Sequence, residues 1–298
     1  MHEDRATIGH SLLLLLAAVI WGFAFVAQRA GMEHLGPFTF NALRFLLGSL
    51  SLVPFLFVER RRAPRDAVTR AARSRVGLAL VGVVLFAAAT LQQVGLVTTA
   101  AGKAGFITGL YVLLVPILGL VLGQRVRRVV WLGAATAVGG LYLLTGLDEG
   151  GIGIGDVLLV AGAFGWAVHV QLVGWLVRRV GPIRIAVAQT AICGVLSLAV
   201  ALTTESIRLV AVRAAVPAIV FAGVLSVGIA YTLQIVGQRR VSPARAGILV
   251  SLEAVFAVLG GWAVLGERVT GSMLVGCALM LVGMILSQWR RRRPVVPR

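Results

Sequence analysis

Thr90-Leu91-Gln92-Gln93-Val94-Gly95 returns 142 residues later as Thr232-Leu233-Gln234-Ile235-Val236-Gly237, and Lys103-Ala104-Gly105 returns as Arg245-Ala246-Gly247. At that offset seven of the sixteen positions 90–105 are identical. One residue further out of step, Leu122-Gly123-Gln124-Arg125-Val126 falls on Leu265-Gly266-Glu267-Arg268-Val269, differing once. Near the start of each half, an offset of 145 pairs Trp21 with Trp166 and Gly36-Pro37 with Gly181-Pro182. Shared apolar composition does not place identities in ordered blocks, so the chain reads as two duplicated halves, 1–147 and 148–298.

The composition around these blocks names the solvent. Of 298 residues, 59% are hydrophobic and 13% charged, and the mean hydropathy is +0.96. A soluble domain cannot bury that much apolar surface. In lipid every backbone polar group must be bonded within its own segment, and about 20 apolar residues make one helical crossing. Ten runs meet that length: 10–30, 38–57, 76–98, 102–122, 128–146, 155–177, 183–203, 213–236, 243–265 and 270–289. Five crossings per half is an odd number, so the second half enters the membrane from the side opposite to the first. The expected fold is therefore an all-α polytopic membrane protein of ten transmembrane helices, arranged as two inverted five-helix repeats.

The net charge of +17 does not indicate nucleic acid, because the basic residues are scattered over loops and do not share one surface with aromatics. Twenty-two of the 28 Lys and Arg fall in alternate connections and at the two ends, five fall on the other side, and Arg44 lies inside a run. The positive-inside rule then predicts both termini in the cytoplasm of a bacterial inner (plasma) membrane. Arg60, Arg61, Arg62, Arg65, Arg70, Arg73 and Arg75, with the tail Arg290 to Arg293, are expected to meet anionic lipid headgroups. Cysteines introduced at Arg65 and Asp148 are expected to label from opposite faces of intact cells; labelling of both from one face contradicts the ten-span reading. The first run is too long for a signal peptide and lacks a clear small-x-small cleavage site, so it reads as retained. Cys193 and Cys277 fall mid-run and imply neither a disulfide nor a metal site.

Trp21-Gly22 with Phe25, the stretch Lys103-Ala104-Gly105-Phe106-Ile107-Thr108-Gly109-Leu110-Tyr111 through Pro116, Gly155-Asp156, and Leu265-Gly266-Glu267-Arg268 follow one another over nearly the whole chain. In this order and spacing the chain resembles the EamA-type branch of the drug/metabolite transporter superfamily. The resemblance implies a ten-helix carrier of amino acids or other small metabolites, frequently an exporter, with a central cavity lined from both halves and no cofactor. Gln124 departs from the glutamate common at that position. Ala254 departs from the proline that often follows the position of Glu253, which removes a proline hinge from the ninth run.

Ionisable groups at mid-membrane cost on the order of 2.5–3.5 kcal/mol each to insert, so they face a cavity or a partner. Glu253 lies near the middle of the ninth run, Arg44 about a third into the second, and His169 near the middle of the sixth. Their structural alternatives are a buried Arg44–Glu253 ion pair and a neutral, hydrogen-bonded histidine. Repeat pairing sharpens the functional reading. Tyr111 holds in the fourth run the place of Glu253 in the ninth, Gln92 matches Gln234, and Trp21 matches Trp166. These eight residues are the expected substrate-binding set, aromatic walls with a few hydrogen-bonding groups. Glu253, the deepest carboxylate, either keeps its charge and holds a cationic group or binds and releases a proton in each cycle. Lys103 and Arg245 could draw anions to the cavity mouths, or could snorkel. The Gly105/Gly109 and Gly119/Gly123 pairs read as helix packing.

Enzyme readings find no support. Gly153-Ile154-Gly155-Asp156 fits an intramembrane aspartyl protease pattern, but that chemistry needs a second carboxylate sharing the proton, and Asp156 at a helix start is explained by the helix dipole. No HExxH, GxSxG or GxxxxGK[ST] pattern occurs. A secondary transporter and a non-transporting membrane scaffold or sensor remain, with a small-molecule substrate and protons as the partners of the first.

Overall fold

The computed structural model describes residues 2–62, 74–99, 107–145, 152–265 and 268–288. Among them no strand occurs. The helices are α1 (His2–Met32), α2 (Pro37–Arg62), α3 (Arg75–Thr98), α4 (Tyr111–Val121), α5 (Arg128–Thr145), α6 (Ile154–Leu176) and α7 (Pro182–Thr204). They continue as α8 (Leu209–Ala214), α9 (Val216–Val220), a π-helical segment (Phe221–Ala230), α10 (Tyr231–Gly237), α11 (Pro243–Val250), α12 (Glu253–Leu265) and α13 (Gly271–Gln288). Seven helical stretches are long and apolar enough to cross a membrane, and Ile107–Val121, Arg128–Leu143 and Gly271–Ser287 are shorter apolar helices. The chain is an all-helical polytopic membrane protein. Lys103, most of the 59–75 loop and the Arg290 to Arg293 tail lie outside the described residues.

Three expected continuous helices are interrupted. The run 213–236 is α9, the π-helical segment and α10 in succession, after a turn at Ala215. Ten residues of π-helix is unusual, since such turns are rare and cluster at functional sites. Here Gly48 of α2 packs so closely on the segment that a Cβ there would lie 2.6 Å from the Gly223 carbonyl oxygen. The run 243–265 breaks at Ser251-Leu252 between α11 and α12. No proline is needed: Ser251 Oγ donates to the Ile248 carbonyl at 2.9 Å, offering the backbone a local alternative to the helical ladder. The third break, at Leu110, immediately precedes α4.

Helices α2 and α7 pack along their length and are tied at both ends. Glu205, just beyond α7, accepts from Phe38 N (2.9 Å), Thr39 N (2.8 Å) and Thr39 Oγ1 (2.6 Å) at the start of α2. Glu59, near the end of α2, accepts from Ile183 N (3.1 Å) and Arg184 N (3.0 Å) at the start of α7. The two helices are therefore antiparallel, and each ends in the carboxylate that satisfies the orphan N–H groups of the other. The Gly-Pro steps make room for this. A Cβ at Gly181 would stand 2.6 Å from the Glu59 carboxylate.

Elsewhere α3 lies on α6 and α7, α5 on α13, and α1 on α12 and the π-helical segment. Gly133 and Gly283 bring α5 and α13 together, a Cβ on either meeting the carbonyl of the other at 2.6 Å. The Gly119/Gly123 pair does not act this way. Gly123 has nothing within 4 Å of a hypothetical Cβ and φ of 73°, so it ends the helix in a conformation that favours glycine. Gln124 follows it and donates to Gln171 Oε1 at 2.8 Å, while Gln171 Nε2 donates to Val115 O at 2.7 Å. An ionised glutamate at 124 has no proton to give Gln171, which accounts for the amide at this position.

Candidate functional site

The breaks before α4 and α12 coincide with the polar residues. Leu110 N bonds Ile107 O at 3.2 Å and Leu113 N bonds Leu110 O at 3.0 Å; Leu252 N bonds Leu249 O at 3.4 Å and Val255 N bonds Leu252 O at 3.0 Å. Each pair of bonds is separated by 142 residues, the offset of the sequence repeat. Tyr111 and Glu253 are the first residues of the helices that follow. They meet: Tyr111 Oη donates to Glu253 Oε1 at 3.4 Å. That is longer than the 2.5–3.0 Å of an unconstrained O–H···O bond, so the contact opens at little cost.

Both face one cavity lined from the two halves of the chain. Residues 21–111 of the first half and 166–253 of the second contribute to its wall. Seven of the eight predicted site residues line it: Trp21, Arg44, Gln92, Tyr111, Trp166, Gln234 and Glu253. Trp166 Nε1 donates to Gln92 Oε1 at 2.6 Å. Trp21 Nε1 donates to the Ser226 carbonyl, in the π-helical segment, at 3.1 Å. The two repeat-paired indoles are thus held by unlike partners.

His169 is the exception. It has no exposed surface and stands behind the wall, with Nε2 3.0 Å from Gln189 Oε1. Its ring meets Trp166 and Tyr231 edge-on at centroid distances of 5.9 and 6.0 Å. Packing on two aromatic wall residues, not contact with the cavity, is what its depth in the helix reflects. The structural alternative of an Arg44–Glu253 ion pair is not seen: no salt bridge joins the two. Arg44 Nε donates to Asn41 Oδ1 at 3.0 Å, and the guanidinium lies 4.8 Å from the centroid of the Phe45 ring. Asp156 serves as a cap, accepting from Gly153 N at 2.9 Å.

Wall residues that pairing did not find include Tyr231, Gln28 and Ser226. Tyr231 stacks edge-on with Trp21 at 4.9 Å and falls one residue before the repeated Thr232–Gly237 block, opposite Ala89. Gln28 falls opposite Val173. A search for matched polar pairs passes over both; the depth of each polar group in its own run was the available signal.

A site of this kind, with aromatic walls, several polar groups between them and no metal-binding cluster among the described residues, suits a small molecule passing between helices. The sequence profile of the EamA-like transporter family matches residues 9–146 and again residues 153–289. The chain belongs to the EamA-like transporter family. Among relatives, an Archaeoglobus fulgidus protein named as an uncharacterized transporter is 29% identical over 279 residues, covering 93% of this chain and 85% of its own. An Escherichia coli protein named as the uncharacterized inner membrane transporter YedA is 25% identical, covering 90% of this chain and 87% of its own. A solved crystal structure shares the fold, with a TM-score of 0.77, 21% identity and coverage of 94% of this chain and 96% of its own. Family and relatives point to membrane transport rather than enzyme chemistry.

Proposed function

We propose that this EamA-like protein is a secondary transporter that exports a small metabolite, an amino acid or a similar compound, across the inner membrane by alternating access. In this reading ten spans form two inverted five-helix units, 1–147 and 148–298, with both termini cytoplasmic and the Arg-rich loops on anionic headgroups. One observation carries it. Tyr111 and Glu253, separated by the repeat offset of 142, touch each other inside a cavity walled by both halves. Residues related by a two-fold axis meet only at that axis, and the contact supports a reading in which two inverted units exchange conformations there. The loose bond and the interrupted helices on either side supply a place to bend. Glu253, Arg44, Tyr111, Gln92, Gln234, Trp21 and Trp166 contact substrate, and His169 holds the aromatic wall from behind. Protons taken up at Glu253 couple the cycle.

Single cysteines at Gln92 and Gln234 test this in sealed vesicles. A membrane-impermeant thiol reagent is expected to reach each of them whether it is supplied inside or outside, and a cysteine at His169 is expected to stay inert. Reaction from one side only fits a scaffold or sensor and rejects alternating access.

A further inference from the structure

Arg44 brings a permanent positive charge into the cavity wall with 5% of its surface exposed, and its surroundings leave that charge without an acid. Among the described residues no carboxylate lies within the 4.0 Å of a salt bridge, and the guanidinium makes one hydrogen bond, from Nε to Asn41 Oδ1. The Phe45 and Phe40 rings, 4.8 and 5.6 Å away, offer it only the faces of their π-systems. Burying an ion costs more than such contacts return, even after relaxation. The deficit calls for an anion.

Three other polar wall groups are short of donors. Gln28 Oε1 and Gln234 Oε1 are buried acceptors without a partner, and Glu253 receives a single long bond. Trp21, Trp166 and Tyr231 offer flat apolar faces on the same cavity. We propose that Arg44 docks a carboxylate of the substrate, so that the cavity takes small organic carboxylates with a flat apolar body in preference to the matching cations. A guanidinium fork holds a carboxylate through two charge-assisted bonds. The proposal rests on the transport reading only in calling the ligand a substrate, since docking is measurable without flux.

Three probes share one ring: 3-phenylpropanoate carries only the carboxylate, phenylalanine both charges, and 2-phenylethylamine only the ammonium. Calorimetry on the full chain in lipid nanodiscs is expected to find the first two bound more tightly than the third. If Gln28, Gln234 and Glu253 also receive the ammonium, phenylalanine binds more tightly than 3-phenylpropanoate; equal affinity assigns docking to the carboxylate alone. Arg44→Met is expected to weaken both by about 10- to 100-fold, the usual worth of hydrogen bonds to a charged group. Arg44→Lys, which keeps the charge and loses the fork, should fall between. Binding of 2-phenylethylamine at least as tight as that of 3-phenylpropanoate, unchanged binding in Arg44→Met, or no binding of either carboxylate overturns the proposal. Should the Met variant not fold, the order of the three probes on the wild-type chain decides alone. Carboxylate binding without flux in proteoliposomes would reject transport and leave the docking site; flux of the amine without carboxylate binding would do the reverse.

Discussion

Glu253→Gln is expected to abolish concentrative or pH-dependent flux while leaving the protein folded and in the membrane. The amide keeps the shape of the carboxylate and can still accept from Tyr111 Oη, whose contact with Glu253 is already long at 3.4 Å. It can neither hold a cationic group by charge nor bind and release a proton. Arg44 is not its ion-pair partner, so the substitution strands no buried cation and has no such route to misfolding. Loss should therefore appear in transport and not in the yield or melting temperature of the purified protein. Tyr111→Phe removes only the bond and should slow flux by less. Wild-type flux with unchanged pH dependence in Glu253→Gln would reject the role given to this residue.

Removing the carboxylate clamps is expected to have the largest effect on stability. Glu205→Ala leaves Phe38 N, Thr39 N and Thr39 Oγ1 without their acceptor, and Glu59→Ala does the same to Ile183 N and Arg184 N. An N–H deprived of its partner in a partly buried place costs about 1–3 kcal/mol, so each variant should lower the thermal midpoint measurably, Glu205→Ala more because it frees three donors. The clamps sit at opposite ends of a 23-residue helix, about 35 Å apart at 1.5 Å per residue, far enough for the losses to add. Thermal melting in lipid nanodiscs checks this. A double variant no less stable than either single one would mean that the two ends are not independent supports.

Much of this architecture is legible in the sequence because lipid removes alternatives. Apolar runs such as 155–177 and 183–203 correspond to α6 (Ile154–Leu176) and α7 (Pro182–Thr204) to within a residue or two. Where helices break, hydropathy is silent. The 243–265 run looks uniform, yet Ser251 diverts a backbone carbonyl and α12 starts at Glu253. The π-helical segment, against which Gly48 of α2 packs, is marked by no local pattern. Site residues with a repeat partner, Trp21, Gln92 and Tyr111 among them, could be read by self-comparison. His169 shows the limit of that approach: depth along a helix fixes the level of a side chain in the membrane but not the direction it faces. Glu59 and Glu205 were within reach of the same comparison, since they are 146 residues apart, one step from the offset that pairs the Gly-Pro turns they cap. At helix ends they read as ordinary loop charges.

The central claim is that this cavity carries a metabolite across the membrane. The most direct measurement loads proteoliposomes with an unlabelled metabolite extract and adds the same extract uniformly radiolabelled outside, so that no substrate need be known in advance. Transient accumulation of at least one labelled compound, above protein-free liposomes, is the predicted result. Accumulation no greater than in protein-free liposomes, from protein shown to be folded, would contradict the account.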